Sequence, residues 1–188
     1  MHRERRHGSS HGGDDHHGGD DSRGPADRRS DWRADRIGSA LRGENPTVLR
    51  RLSAGFAVIG DVQFLPGYSV LLTDTPGTER LSDLPRPRRL AYLADLDRLA
   101  EAVEQACRAA DPAFRRVNIE ILGNKDPFLH AHIWPRYDWE PEGLVQRPVW
   151  LYPPTHWQDR RFALGPAHDA LRSAIAAGLA GDAGDDGP

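Results

Sequence analysis

Residues 128–136 read Phe128-Leu129-His130-Ala131-His132-Ile133-Trp134-Pro135-Arg136, and their alternation decides how the chain is read. Successive side chains of a β-strand point to opposite faces, and residues two apart on one face lie about 6–7 Å from each other. Phe128, His130 and His132 therefore share one face, while Leu129, Ala131 and Ile133 share the other. The apolar set suits a buried face. The two imidazoles are kept off the core.

Working outward, RVNIEILG at 116–123 is a second strand-like run, joined to 129–137 by the turn-rich NKDP. Upstream, GFAVIGD at 55–61 and PGYSVLLT at 66–73 read as a β-hairpin with a slightly long loop. Between the two pairs, Leu90, Leu93, Leu96, Leu99 and Val103 recur at helical spacing and predict a helix over 84–107. Pro85 and Pro87 stand near its start and Asp111-Pro112 stops it. The core order β, β, α, β, β favours an antiparallel sheet with a long helix packed on one face, an α+β architecture. Before it, DWRADRIGSALRG at 31–43 predicts a short helix ended by Gly43, and Asn45-Pro46 reopens the chain. After Tyr137, DWEPEGLVQRPVWLYPPTHW is rich in proline and aromatics, a composition for an extended arm lying against a surface. A last helix is predicted over 166–180.

The chain of 188 residues, 38% apolar and 28% charged, has the length of one domain with tails. Residues 1–30 are Gly, His, Asp and Arg with almost nothing to bury, so they read as a disordered tail, followed by a domain over 31–140, an arm and helix over 141–180, and a second tail over 181–188. A net charge of −3 provides no long-range attraction to a phosphate backbone, which argues against nucleic acid as the partner. Cys107 is the only cysteine, so no intrachain disulfide framework is possible and a reducing, cytoplasmic setting is the expectation. The opening MHRERRHGSSHGG lacks an apolar core for export, and no run approaches the roughly 18 apolar residues of a membrane helix.

Several chemistries compete for the histidines. Paired imidazoles on a strand can supply two zinc ligands, but the next histidines, His156 and His168, fall in the arm and the final helix, so a third ligand is hard to find. His2, His7, His11, His16 and His17, interleaved with Asp14 and Asp15, are a second metal-binding candidate, although nothing fixes a coordination geometry there. A Ser-His-Asp site lacks its Gly-x-Ser-x-Gly elbow, and Cys107 on an amphipathic helix reads as a small buried residue. Asn118 on the preceding strand and Asn124 in the turn carry amide donors suited to phosphate oxygens, with Gly123 allowing close backbone approach and Lys125 adding charge. Together they describe an anion site beside two imidazoles.

On these residues the chain resembles the histidine-triad superfamily, whose signature is His-x-His-x-His followed by two apolar residues, often with Pro-Arg just after. FAVIGDVQFLPGYSVLL resembles the first hairpin, the 84–107 helix stands in the right place, and VNIEILGN resembles the strand and turn before the signature, so that residues 50–140 are covered. Within the superfamily the chain is most similar to hydrolases of dinucleoside polyphosphates, especially the diadenosine tetraphosphate type. The resemblance implies that His130 attacks the α-phosphorus to form a nucleotidyl-histidine, that His132 contacts phosphate, that Asn118 and Asn124 supply amides near it, and that Asp61 contacts ribose. It also implies a small-molecule nucleotide as ligand and a homodimer. No metal is implied as obligatory, with Mg²⁺ only as a companion of a polyphosphate. Phe128 replaces the first histidine, though its backbone carbonyl can still accept from the His130 Nδ1–H, and Tyr68 stands where a histidine often follows Pro-Gly. The usual basic residues after the second strand are missing from TDTPGTE. A catalytically weak nucleotide-binding or sensing protein is the alternative.

Overall fold

The computed structural model describes residues 31–181. The tail expected over 1–30, the tail expected over 181–188 except its first residue, and the metal site expected at the N-terminal histidines lie outside the described residues, and Gly181 ends a helix. Five strands form one sheet: β1 (Val48–Arg51), β2 (Gly55–Ile59), β3 (Ser69–Thr73), β4 (Phe114–Ile121) and β5 (His130–Tyr137). Their order is β1-β2-β3-β5-β4, and every neighbouring pair is antiparallel. β1 is the strand that the sequence reading does not anticipate. VLRR has neither alternation nor an apolar run, and it is drawn into the sheet by pairing with β2, Val48 opposite Val58.

Alternation along β5 sorts its side chains as expected. Leu129, Ala131 and Ile133 are buried on the face that meets helix α2 (Arg86–Ala110), where Leu96, Leu99 and Val103 are buried with them. Tyr92 of α2 donates its hydroxyl proton to the Leu71 carbonyl at 2.9 Å, which ties the helix to β3. The predicted helical stripe fails at its first two members: Leu90 is 54% exposed and Leu93 38%. A spacing of three residues falls short of the 3.6-residue turn, and over the nine residues from Leu90 to Leu99 the shortfall adds up to about half a turn. Tyr92, Ala100, Ala106 and Cys107 fill the buried face instead.

Helix α1 (Arg36–Leu41) is shorter than predicted, beginning where the Asp35 carboxylate accepts from the Gly38 N–H at 2.8 Å. The final helix, α5 (Asp169–Gly181), packs beside α2 and buries Ile175 and Leu179.

The arm lies on the opposite face of the sheet, yet it is a series of short helical turns, including α3 (Glu142–Val145) and α4 (Pro154–Gln158), and not an extended strap. Pro141, Pro148 and Pro153 each stand immediately before such a turn. Proline's fixed φ and missing N–H suit the start of a helix as well as an extended segment, so composition alone did not separate the two. Phe64, Tyr152, Trp157 and Phe162 pack together beneath the arm. A backbone bridge between Val62 and Ala163 fastens it to the loop after β2.

Candidate active site

The outward face of β5 is the floor of a cavity of about 650 Å³, in the range usual for small-molecule sites. His130 and His132 are both buried within it, their rings edge to face with centroids 4.7 Å apart. His130 Nδ1 lies 2.7 Å from the Phe128 carbonyl oxygen. A carbonyl only accepts, so Nδ1 carries a proton, and in the neutral imidazole Nε2 is the nitrogen with the free lone pair. The backbone contact expected at the altered first position is therefore present. His132 Nδ1 is 2.8 Å from the Tyr68 hydroxyl. Burial, with His130 beside it, lowers the His132 imidazole to about 3, so it is neutral near pH 7.

Apolar walls come from Val58, Val70 and Leu72 on the neighbouring strands, which present the same face as the histidines through the pairing of Val70 with His132 and Leu72 with His130. The strand that bears the two histidines thus sits between an apolar trough and the more polar loop 122–126. Two residues of the arm close the far side. Trp150 packs edge to face on His132 at 4.9 Å, donates its indole N–H to Glu120 at 2.7 Å, and stacks on Trp157 at 5.1 Å.

Asp61 and Asn124 reach the cavity as expected, together with Gly123 and Lys125. Asp61 does not stand free: Arg36 of α1 grips its two oxygens at 2.7 and 3.3 Å, and Arg33 Nε lies 3.4 Å away. A carboxylate has about four acceptor positions, so a sugar hydroxyl can still join these contacts. Asn118 is on the same sheet face, opposite Trp134, but opens into a separate cleft with Arg115, Arg116, Gln146 and Arg147. Glu120 and the Trp150 ring it holds stand between that cleft and the histidines.

Sequence reasoning missed Arg36, Trp150 and Trp157, and treated Tyr68 only as a departure. The arm tryptophans carry no spacing signal, since they reach the cavity through the fold of the arm. For Arg36 the only available hint was the Asp61 charge it offsets, 25 residues away.

Among the described residues no three His, Cys, Asp or Glu side chains converge as a metal site would require. His156 packs against Phe64, Tyr152 and Phe162, and His168 contacts the backbone of Gly165, so neither accompanies the histidine pair. Cys107 is buried on α2, where desolvation pushes its thiol up to about 11.

No protein-family model matches the chain, and no curated protein matches its sequence. Solved structures do match its fold. A histidine triad protein from Marinobacter aquaeolei VT8 aligns over 70% of this chain and 84% of its own, with a TM-score of 0.52 and 20% identity. A hypothetical histidine triad nucleotide-binding protein from Sulfolobus tokodaii aligns over 77% and 90%, with a TM-score of 0.54 and 11% identity. A zinc-bound histidine triad family protein from Mycobacterium smegmatis aligns over 76% and 90%, with a TM-score of 0.50 and 19% identity. The chain has a histidine-triad-like α+β fold.

Proposed function

We propose that the protein is a nucleotide hydrolase or nucleotidyl transferase that cleaves a phosphoanhydride, as in a dinucleoside polyphosphate, through a covalent intermediate on His130. The observation that carries the reading is the His130 ring, its Nδ1–H held by the Phe128 carbonyl at 2.7 Å and its other nitrogen turned to the cavity. Nε2 attacks the α-phosphorus, the P–O bond to the leaving phosphate breaks, and its electron pair departs with that oxygen. The adduct's positive charge is shared with Nδ1–H, where the carbonyl accepts. Water then attacks the phosphorus, the P–N bond breaks, and its electron pair returns to Nε2 while the water's proton passes to solvent. His132, neutral with its lowered pKa, has no proton to spare for a leaving group. A phosphate ester leaves without one, its second pKa being near 6, which favours an anhydride over an alkyl ester.

Arg36, Asp61 and the Val58–Val70–Leu72 trough would hold the nucleoside, and Asn124 and Lys125 the phosphates. Mg²⁺ would come with the polyphosphate. A cytoplasmic setting is proposed from the single cysteine, which leaves no intrachain disulfide. Among the described residues no helix is long and apolar enough to cross a membrane. Homodimerisation through the edge strand β4 accords with exposed Ile119 and Ile121 on its α2 side and with exposed Leu90 and Leu93 on α2 itself.

Diadenosine tetraphosphate, with and without Mg²⁺, should yield mononucleotide in the presence of the protein. The His130→Ala variant should yield none, and its retained turnover would overturn the covalent mechanism. The second reading, a binding or sensing protein, is favoured by one observation: segment 73–79 offers no Lys or Arg to grip a long polyphosphate. Saturable nucleotide binding without products would select it.

A further inference from the structure

We propose that Tyr68 is a positioning residue that fixes His132 as its Nε2–H tautomer, so that the two neighbouring imidazoles present opposite chemistry to the cavity: a bare nitrogen on His130 and an N–H donor on His132. The tautomer assignment stands on geometry alone. Its use on a phosphate rests on the nucleotide reading above.

The Tyr68 hydroxyl has one hydrogen-bond partner among the described residues, His132 Nδ1 at 2.8 Å. Two arrangements satisfy that distance. If Nδ1–H donated to the phenol oxygen, the phenol's own proton would be left in a buried place without an acceptor, and an unsatisfied buried donor bears its full desolvation penalty. If the hydroxyl donates, both groups are satisfied and the His132 proton must reside on Nε2. Burial raises the phenol far above its ordinary pKa, with Asp61 adding to the effect, so the hydroxyl proton is present at every working pH. A histidine at position 68 could either donate or accept. Tyrosine in this environment removes that choice.

The rest of the site holds the phenol in place. Its ring stacks on Trp134 with centroids 3.6 Å apart and planes 6° from parallel. On the neighbouring strand end stands Gly60, where a Cβ would overlap the Tyr68 ring. Gln63 donates to the Tyr68 carbonyl at 2.9 Å, which fixes its backbone. At His132 the other neighbours leave Nε2 alone: His130 and Trp150 meet its ring edge to face, and the nearby Glu120 carboxylate accepts from Trp150. Neither Nε2 atom has a hydrogen-bond partner among the described residues, and neither is among the buried polar atoms without one, so both are reached from the cavity. One phosphoryl group between them would meet a lone pair at phosphorus from His130 and a hydrogen bond at a nonbridging oxygen from His132.

The test is a long-range ¹H–¹⁵N spectrum of histidine-labelled protein without ligand, near pH 7. The expected spectrum shows His130 protonated on Nδ1 and His132 on Nε2. Tyr68→Phe keeps the stacking ring and removes the hydroxyl, so the His132 Nδ1 resonance should move downfield, as an acceptor nitrogen does on losing its donor, with His130 unmoved. Weaker AMP binding by roughly 5- to 10-fold in that variant would accompany the change. An Nδ1–H tautomer at His132 in the unaltered protein, or an Nδ1 resonance indifferent to Tyr68→Phe, would overturn the proposal. Failure of AMP to bind the unaltered protein counts against the nucleotide reading, and the ligand-free spectrum then decides the tautomer separately.

Discussion

His130 and Trp150 line the same cavity, yet the floor that bears the first and the arm that bears the second are held by different forces. The floor is local. β5 pairs on both sides, its alternate residues Ala131 and Ile133 are fully buried against the helix layer, and the His130 ring is oriented by a carbonyl two residues away. The wall is organised around a buried ion pair at the start of the arm. Arg136 forks onto Glu140 at 2.8–3.1 Å and donates to the carbonyls of Leu144, Val145 and Arg147, while Tyr152 donates to Glu140 at 2.6 Å. A histidine set by its own strand should keep its orientation when the arm is disturbed. The next turn adds buried Val149 and the bond from Trp150 to Glu120, both of which come after the segment that the ion pair organises.

That contrast can be broken or sharpened in several ways. The largest effect belongs to His130→Ala, which should lower turnover of diadenosine tetraphosphate by on the order of 10⁴-fold or more while the folded protein persists, as judged by circular dichroism. Next comes Glu140→Ala, which strands the buried Arg136 guanidinium and should destabilise the arm by about 3–5 kcal/mol. Hydrogen exchange would then show faster exchange over residues 141–158 with β5 still protected. Loss of protection in β5 to the same degree would mean that floor and wall are one unit.

In the helix layer, Leu99→Ala should lower the unfolding free energy in urea by about 2–5 kcal/mol, whereas Leu90→Ala should stay within about 0.5 kcal/mol at concentrations where the protein is monomeric. Equal losses would contradict the half-turn offset between the two. Trp150→Ala, which opens one wall of the cavity, should weaken nucleotide binding by about 1–3 kcal/mol, measured by titration calorimetry, with the His130 tautomer unchanged.

A graded effect is one of pH. The His132 imidazole is held to about 3 in the folded protein, below its ordinary 6.5, so between those values the unfolded chain binds a proton that the folded one does not. Stability from this group is fully present above pH 6.5 and falls as pH drops towards 3, by up to about 1.4 kcal/mol per pH unit. Urea midpoints between pH 7 and 5 should decline less in His132→Asn than in the unaltered protein.

The floor was legible in the sequence because its constraints are short-range. Alternation in FLHAHI separates the buried residues from the imidazoles, and the surviving Phe128 carbonyl needs no side-chain match. β1 was not legible, since two arginines in a four-residue strand carry no pattern and only pairing with β2 defines it. The wall was legible in composition but not in conformation, because proline-rich aromatic sequence suits helical turns as well as an extended path. The site's selectivity was hidden further. Arg36 meets Asp61 across 25 positions, and Asn118, on the expected strand and face, is cut off from the histidines by a tryptophan that arrives from 30 residues beyond Glu120.

Whether His130 is the nucleophile is decided by quenching the protein during turnover of diadenosine tetraphosphate under alkaline conditions and mapping the nucleotidyl group by peptide mass spectrometry. An adenylyl group on His130, accumulating within the first turnover and absent from His130→Ala, is the expected result. Turnover with His130 never modified, or an adduct on another residue, would contradict it.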